Sequence, residues 1–423
     1  MQVDTNQFLK DGYLVIKNVV PPDQLAPLRH SCEILAERQR ALSISDWESV
    51  PSPIVAINEV CDSETMNVVR FLLHDNTMGV SQQLLDSSQV APISMEVMCN
   101  PIKDFGPGSW HRDIKPNYQA PLCGVQEDMM TNGPSFLQWN IALYDDNNFC
   151  LVPGTHQRPN TADENQRLVD NPQGALPEGV VADLKAGDGV VYLNWMLHRG
   201  ARYSPKQRRT IHQVYRTFGD NNTPNYNGLF FYWDSDLVEK LPADCQPVFK
   251  RYLELGKQER ALWASVLYSI LQADPVGFKA NLSTLHAAEK GQMVTVILLS
   301  KLAFRIRSLK NPSLVQHLPS ERKVDFDVAQ GTVRRSTTAL PAPPKEPELH
   351  LYQLEDIAKR FSVEDLDTLW DRFAVLDAKL KTNQEEFNPG FQFGPSPYRF
   401  NAMPEDFEVE DFIASWTRYM VER

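Results

Sequence analysis

The chain has 423 residues, of which 42% are hydrophobic and 10% aromatic, values of a globular protein with room for two or three domains. Its net charge of −12 is not interrupted by any long basic run, which excludes a nucleic-acid footprint and reads simply as solubility. The six cysteines lack CxxC spacing, and the opening MQVDTNQFLKDGYLV has no cationic-then-apolar leader, so free thiols in a reducing, cytoplasmic setting are expected.

Residues 12–19, GYLVIKNV, predict a strand. Pro21-Pro22-Asp23 then opens a helix over roughly 24–42, with Leu25, Leu28, Cys32, Leu35 and Ala36 at helical spacing, and a second helical stretch follows over about 63–84. From Ala91 to about Phe218 the short apolar runs ISMEVMCN, PSFLQWNIALY, FCLVPGTH, GVVADLKAGDGVVYLNW and RRTIHQVYRTF alternate with turn-forming residues, the pattern of a sandwich or barrel. Asp188-Gly189 marks a tight turn within it. Beyond Phe218 the pattern becomes helical over 235–273 and 283–308. The longest apolar run there, Met293 to Phe304, is broken by Ser300 and Lys301 and is too short to span a bilayer. Residues 309–348, with the proline-rich TTALPAPPKEPE, predict a connector; 349–381 and 408–421 are helical again. The expected organisation is 1–220, 221–308, 309–348 and 349–423, with no internal repeat.

Within the strand-rich stretch, SWHRDIKP follows a Gly-Pro-Gly turn. On a strand, positions i and i+2 share a face, so His111 and Asp113 can point inward together while Arg112 points away. His198 lies on a second strand, GVVYLNWMLHRG. Two imidazoles and one carboxylate, with the remaining positions open, form the donor set that selects non-haem Fe(II) for oxygen chemistry. A His-x-Asp pair alone also arises by chance on a surface. Here it is accompanied by Trp110, a glycine-rich turn, a distal His and the arginines Arg208 and Arg209. An arginine fork binds a carboxylate bidentately, which is what an iron oxygenase using 2-oxoglutarate needs for the distal carboxylate of that co-substrate.

WHRD at 110–113, PGTH at 153–156, His198 and RRTI at 208–211 resemble the phytanoyl-CoA dioxygenase family of Fe(II)/2-oxoglutarate oxygenases, as does FLKDGYLVIKNVVPPDQLAPLR at 8–29. The motifs stand in the family's order over roughly residues 5–218, about half of the chain. The resemblance implies a double-stranded β-helix (jelly-roll) core; with the N-terminal helices and the largely helical C-terminal extension, which has no counterpart in the minimal family pattern, the expected fold is mixed α and β. The resemblance also implies iron ligation by His111, Asp113 and His198, with 2-oxoglutarate and O2 as co-substrates. The family's co-substrate arginine precedes any residue, a small one and an apolar one, which favours Arg208 over Arg209. Gln138 and Asn140, on one face of FLQWNIAL, would stand near the co-substrate or else form an ordinary hydrogen-bonded pair on a barrel wall. The implied reaction is hydroxylation of an unactivated C–H bond of a small molecule, with release of succinate and CO2. Halogenating relatives replace the carboxylate ligand by a small residue, so Asp113 argues against halogenation; desaturation, epoxidation and ring formation stay open.

Two departures from the family pattern stand out. DDNNFCLV before PGTH lacks the usual glycine and is short, and Gly200 occupies a position where a hydroxyl residue is common. His156 is expected to shape its loop, and His212 to lie on the side of Arg208. Arg112, Lys103 and Lys115 flank the metal motif and could meet an anionic substrate or be solvated; Trp110, Trp139, Trp195 and Tyr118 could line the site or pack the core. The helical half could cover the barrel mouth, join copies of the chain into a homo-oligomer or bind a partner, although Leu262, Val266 and Ile270 read most simply as core. Two rival readings remain: a non-catalytic β-barrel binding protein, and a cupin-type metal enzyme that does not use 2-oxoglutarate.

Overall fold

The computed structural model describes residues 1–42, 47, 50–113, 122–204, 206–218, 237–287, 289–310, 324–327, 332–335, 357–382 and 408–421. Its first half is built on β1 (Tyr13–Ile16), β2 (Ile54–Ala56), β3 (Val90–Cys99), β4 (Gly106–Pro107), β5 (Phe136–Ala142), β6 (Cys150–Leu151), β7 (Val180–Val181), β8 (Gly189–Tyr192), β9 (His198–Arg199), β10 (Ala201–Arg202) and β11 (Arg209–Thr217). A six-stranded antiparallel sheet runs in the order β1-β8-β5-β11-β3-β2; a smaller one runs β7-β6-β9, and β4 pairs with β10. The fold is thus mixed α and β with antiparallel sheets.

The outer face of the large sheet is covered by helices α1 (Thr5–Asp11), α2 (Pro22–Leu42), α3 (Ile57–Val60), α4 (Met66–Leu72) and α5 (Val80–Leu84). Trp139 donates to Ser81 Oγ at 3.0 Å and Tyr215 to the Leu72 carbonyl, so the alternate residues of β5 and β11 that face these helices are core. The predicted strand over 12–19 is shorter than its apolar run because Asn18 takes φ 53° and its backbone N–H is drawn to Asp188, the carboxylate of the expected turn. The predicted helix over 63–84 is interrupted by a π-helical turn at Asp75–Gly79. There Thr77 Oγ1 donates to the Phe71 and His74 carbonyls, and His74 Nδ1 accepts from Asn76 N. Side chains that bond local backbone groups compete with the regular helix ladder.

Two helices stand inside the stretch expected to be all strand, α6 (Leu122–Asn132) and α7 (Ala162–Asp170). The start of α7 is set by a reciprocal Thr161–Glu164 capping box, legible as T-x-x-E in the sequence. Gly12 ends α1 at φ +84°, and a Cβ there would lie 2.4 Å from His156 Nδ1. That glycine lets the PGTH loop dock, with Gly154 N donating to the Asp11 carbonyl and His156 Nε2 to that of Leu9.

Beyond α8 (Leu237–Lys240), helix α9 (Gln246–Leu271) serves two cores. Phe249 and Tyr252 join the core of the sheets, whereas Trp263, Val266, Leu267 and Ile270 join a second one. The second core is completed by α10 (Pro275–Leu285), α11 (Glu289–Lys310), α12 (Val363–Thr382) and α13 (Val409–Val421). A short hairpin, β12 (Val324–Asp327) with β13 (Thr332–Arg335), falls within the expected connector; its proline-rich part, like Lys115 and Tyr118, lies outside the described residues. The buried pair Arg216–Glu259 at 2.5 Å links β11 to α9, and His286 Nε2 lies 3.0 Å from Asp128 Oδ1 on α6. Among the described residues no helix is long and apolar enough to cross a membrane.

Candidate metal centre

His111 and His198 face each other as a reciprocal antiparallel bridge, His111 N donating to the His198 carbonyl at 2.8 Å and His198 N to that of His111 at 2.9 Å. Asp113 N donates to the Asn194 carbonyl, which turns its carboxylate to the same side. One ligand atom from each of the three residues lies within 4.8 Å of the others. His111 Nε2 is 3.6 Å from Asp113 Oδ1, and His198 Nε2 is 3.4 Å from Asp113 Oδ2.

The tautomers are fixed by the far side of each ring. His111 Nδ1 meets the Ser109 carbonyl at 2.9 Å and His198 Nδ1 that of Met196 at 2.8 Å. A carbonyl can only accept, so in the neutral imidazoles Nδ1 carries the proton and Nε2 presents its lone pair to the cluster. Burial, aided by His198, pulls His111 below the ordinary imidazole value. Burial pushes Asp113 upward, but the two histidines and a hydrogen bond from Gln138 outweigh it and hold the carboxyl well below the usual carboxylate range. Neutral imidazole and ionised carboxylate are the forms that bind a metal. Two nitrogen donors and one oxygen donor with an open side fit ferrous iron.

Arg112 points the other way, and its predicted alternatives of substrate contact or solvated charge both fail. It is fully buried, donating through Nη1 to the Thr155 and Trp195 carbonyls at 2.6 and 2.5 Å and through Nη2 to Asn160 Oδ1 at 2.8 Å. Its role is to pin the metal motif to the PGTH loop.

Opposite the triad, the inner face of the large sheet is polar. The register places Gln138 beside Tyr192 and Val214, and Asn140 beside Val190 and His212. Gln138 and Asn140 are therefore not a pair with each other. Asn140 Oδ1 accepts from His212 Nδ1 at 2.8 Å, while Gln138 is close enough to Asp113, and Asn140 to Tyr192, to favour the ionised form of each. Burial is the largest influence on His212; Asp113 opposes it, His198 and Arg208 add to it, and the imidazole falls to about 4. Arg208 stands just before β11 on the face of Thr210 and His212, with Nε bonded to Asp146 Oδ2 at 2.7 Å; Thr210 Oγ1 donates to the same oxygen. Arg209 takes the opposite face, paired with Glu33 at 2.7 Å. Phe149 closes the side near the metal, its ring 5.6 Å from that of His198 and 4.7 Å from Tyr192.

Residues 8–211 match the model of the phytanoyl-CoA dioxygenase (PhyH) family. The chain carries a PhyH-family domain. Ferrous iron with 2-oxoglutarate is the cofactor set that goes with this family. Among solved structures, the PhyH domain is similar to the α-ketoglutarate-dependent epimerase SnoN from nogalamycin biosynthesis (20% identity over 50% of this chain and 80% of that one, TM-score 0.37). It is also similar to HygX from Streptomyces hygroscopicus with nickel and 2-oxoglutarate bound (16%, 51% and 88%, TM-score 0.38) and to EctD from S. alaskensis (16%, 50% and 75%, TM-score 0.38). At these scores the likenesses add nothing to the family match. No curated protein matches the chain.

The PhyH domain brings His111, Asp113 and His198 into one cluster and lines Gln138, Asn140 and Arg208 beside it, but turns Arg209 outward. Tyr192, Phe149 and Asp146 were not singled out by sequence. Tyr192 had a signal, since it alternates with Val190 on a strand that ends six residues before His198. Phe149 and Asp146 had none, because their segment follows neither period. Trp139 faces the helices and Trp110 stacks under Arg199, so neither lines the site as a wall, and Trp195 is buried in the core of the sheets.

Proposed function

We propose that the PhyH domain is an Fe(II)- and 2-oxoglutarate-dependent dioxygenase whose favoured outcome is hydroxylation of an unactivated C–H bond of a small molecule. The observation that carries this reading is the triad with both Nε2 lone pairs turned inward, set beside a row of inward polar side chains that ends in a guanidinium. The arrangement of a six-stranded and a three-stranded antiparallel sheet, with metal ligands drawn from their junction, supports the expected double-stranded β-helix.

When bound, iron with 2-oxoglutarate supplies the activation of O2 and the oxidation of the C–H bond, with succinate and CO2 as by-products. The remaining work falls to the chain. His111, Asp113 and His198 hold the metal. Gln138 favours the ionised form of Asp113, the kind of outer influence that tunes a ligand. Asp146 engages Arg208 through Nε, which leaves the Nη edge to take the distal carboxylate of the co-substrate. His212, neutral and held by Asn140, adds no competing charge beside that carboxylate. Phe149 and Tyr192 exclude water on the flank. Arg209 is committed to Glu33 and takes no part. Asp113 fills the position that a halogenating relative would leave open.

Anaerobic titration of the Fe(II)-loaded protein with 2-oxoglutarate tests the proposal. A weak visible charge-transfer band should appear and be absent in His198→Ala; a folded, iron-loaded protein without the band would rule the reading out. A second reading has one observation in its favour: Arg208 already has a carboxylate partner in Asp146, as a cupin-type metal enzyme with no keto acid would allow. Under that reading, Arg208→Ala leaves activity unchanged.

A further inference from the structure

The ribbon that carries the distal histidine does not end there. The bridge between His111 and His198 continues through Gly108 N, which donates to the Gly200 carbonyl at 2.8 Å, to the pair Gly106 and Arg202. Alternation along 198–202 places Gly200 and Arg202 on the face of His198, and Arg199 on the other face, where it stacks on Trp110. Among the described residues, a Cβ built on Gly200 would meet nothing within 4 Å, so the space in front of Gly200, between His198 and Arg202 on that face, is open to them. A Cβ on Gly108 would lie 2.8 Å from the Gly200 carbonyl oxygen, so the glycine lets the two backbones pair closely, with Arg202 Nε in van der Waals reach of that position at 3.7 Å.

Arg202 is half-buried, yet no side chain among the described residues pairs with its guanidinium. The nearby carboxylate of Asp104 is turned to Ser204 N at 3.0 Å, and Lys103 lies over the Phe105 ring. Arg202 stands on the β4–β10 ribbon that continues the His111–His198 bridge, whereas Arg208 stands just before β11 of the large sheet, bonded to Asp146. A half-buried guanidinium that no carboxylate among the described residues engages, on the ribbon of the metal ligands, has an unused bidentate donor face, which matches a carboxylate or phosphoryl group.

We propose that Arg202 binds an oxyanion, a carboxylate or phosphoryl group, of the small-molecule substrate and so orients it on the His111 side of the metal. The inference rests on the dioxygenase reading above, and it replaces Arg112 as the cation that meets an anionic substrate.

The test uses the whole chain loaded with Zn(II) and saturating 2-oxoglutarate. Benzoate and phenyl phosphate serve as anionic probes, with benzamide and phenol as their neutral counterparts, read by ligand-observed NMR. The anions should bind and the neutral probes should bind more weakly. In Arg202→Gln the dissociation constants of the anions should rise about tenfold or more, with partial recovery in Arg202→Lys, while 2-oxoglutarate affinity stays within about twofold. The ranking of benzoate against phenyl phosphate tells which oxyanion the site prefers. Three results would overturn the proposal: anions that bind no better than neutral probes, anions that bind Arg202→Gln undiminished (and hence sit on the metal), or an Arg202→Gln protein that loses 2-oxoglutarate. A parent protein that fails the 2-oxoglutarate titration sinks the dioxygenase reading; one that passes it but ignores both anions sinks only the oxyanion site.

Discussion

In the core that runs from Phe8 to Tyr252, the face of the large sheet covered by helices is largely apolar, with Gln213 as a buried exception, and the face turned to the metal ligands carries a row of polar side chains. In the core that runs from Trp263 to Trp416, helices close on Val266, Ile297, Leu299, Leu302 and Phe412, and the buried polar atoms, Thr295 Oγ1 and Trp416 Nε1 among them, are scattered. The contrast is one of arrangement: both regions bury polar atoms without a hydrogen-bond partner among the described residues, but the first gathers polar side chains on one face and the second disperses them. Gln138 Oε1 and Asn194 Oδ1 are such atoms in the first region, and a buried polar group left unsatisfied costs on the order of 1–3 kcal/mol. The helical region has the simpler task of packing, and its polar link to the site is indirect: His286 meets Asp128 on α6, and α6 also carries Gln126, which donates to the Thr155 and Arg158 carbonyls of the PGTH loop.

The change with the largest expected effect acts on the polar face. Asp113→Ala removes one of three ligands and leaves two imidazoles, so metal affinity should fall by about two orders of magnitude or more while the fold persists. Calorimetric titration with Fe(II) or Zn(II) checks this; unchanged affinity would mean that the metal lies elsewhere. Next comes the pair of arginines. Arg208→Ala should weaken 2-oxoglutarate binding by about 2–5 kcal/mol with the metal retained. Arg209→Ala breaks an ion pair whose Glu33 is 34% exposed, so it should leave co-substrate affinity alone and cost about 1 kcal/mol of stability or less. Equal losses in the two variants would erase the distinction between the faces of β11.

Leu302→Ala probes the other region. This side chain is fully buried, and truncation should cost about 2–5 kcal/mol in denaturant unfolding. If the helical core serves packing alone, the variant binds metal and 2-oxoglutarate like the parent. A shift of about threefold or more in either affinity would show that the path through His286, Asp128 and Gln126 couples the two cores.

The parts of this architecture that sequence could reveal are those with a local period or a local motif. The β5 and β11 strands, the Asp188-Gly189 turn and the His111–Asp113 alternation follow from spacing, because each depends on residues within one strand or turn. His198, expected on one strand with GVVYLNW, instead stands on β9 in the smaller sheet, because that strand ends at Tyr192 and the chain turns over 193–197. The choice of Arg208 over Arg209 came from the family pattern, and the side each arginine takes depends on where β11 begins and on carboxylates 62 and 176 positions away, Asp146 and Glu33. Helix α6 and the π-helical turn at Asp75–Gly79 were missed for related reasons: the first lies in a segment with no strong helical stripe, the second is set by the Thr77 hydroxyl competing with the backbone. Arg202 lay in plain view four residues after His198. What made it informative was the absence of a partner among the described residues, a three-dimensional fact.

The remaining effect is spread over a pH window: it concerns acid stability, and it separates the two regions by chemistry rather than by position. His212 is buried on the polar face with its imidazole pulled from 6.5 to about 4. Its folded form therefore refuses a proton that the unfolded chain accepts. Above about 6.5 both states are neutral there and the group contributes no slope. As the pH falls from about 6.5 to about 4, the unfolded chain gains the proton and stability drops, by a few kcal/mol at most across the window. In metal-free protein, His212→Asn should flatten this part of the stability curve without removing it, because His111 and His156 are shifted in the same direction by burial. Leu302→Ala should lower the whole curve and leave its shape unchanged. An unaltered acid slope in His212→Asn would show that water reaches that histidine, and with it that the polar face is less dry than its neighbours Tyr192 and Phe149 make it.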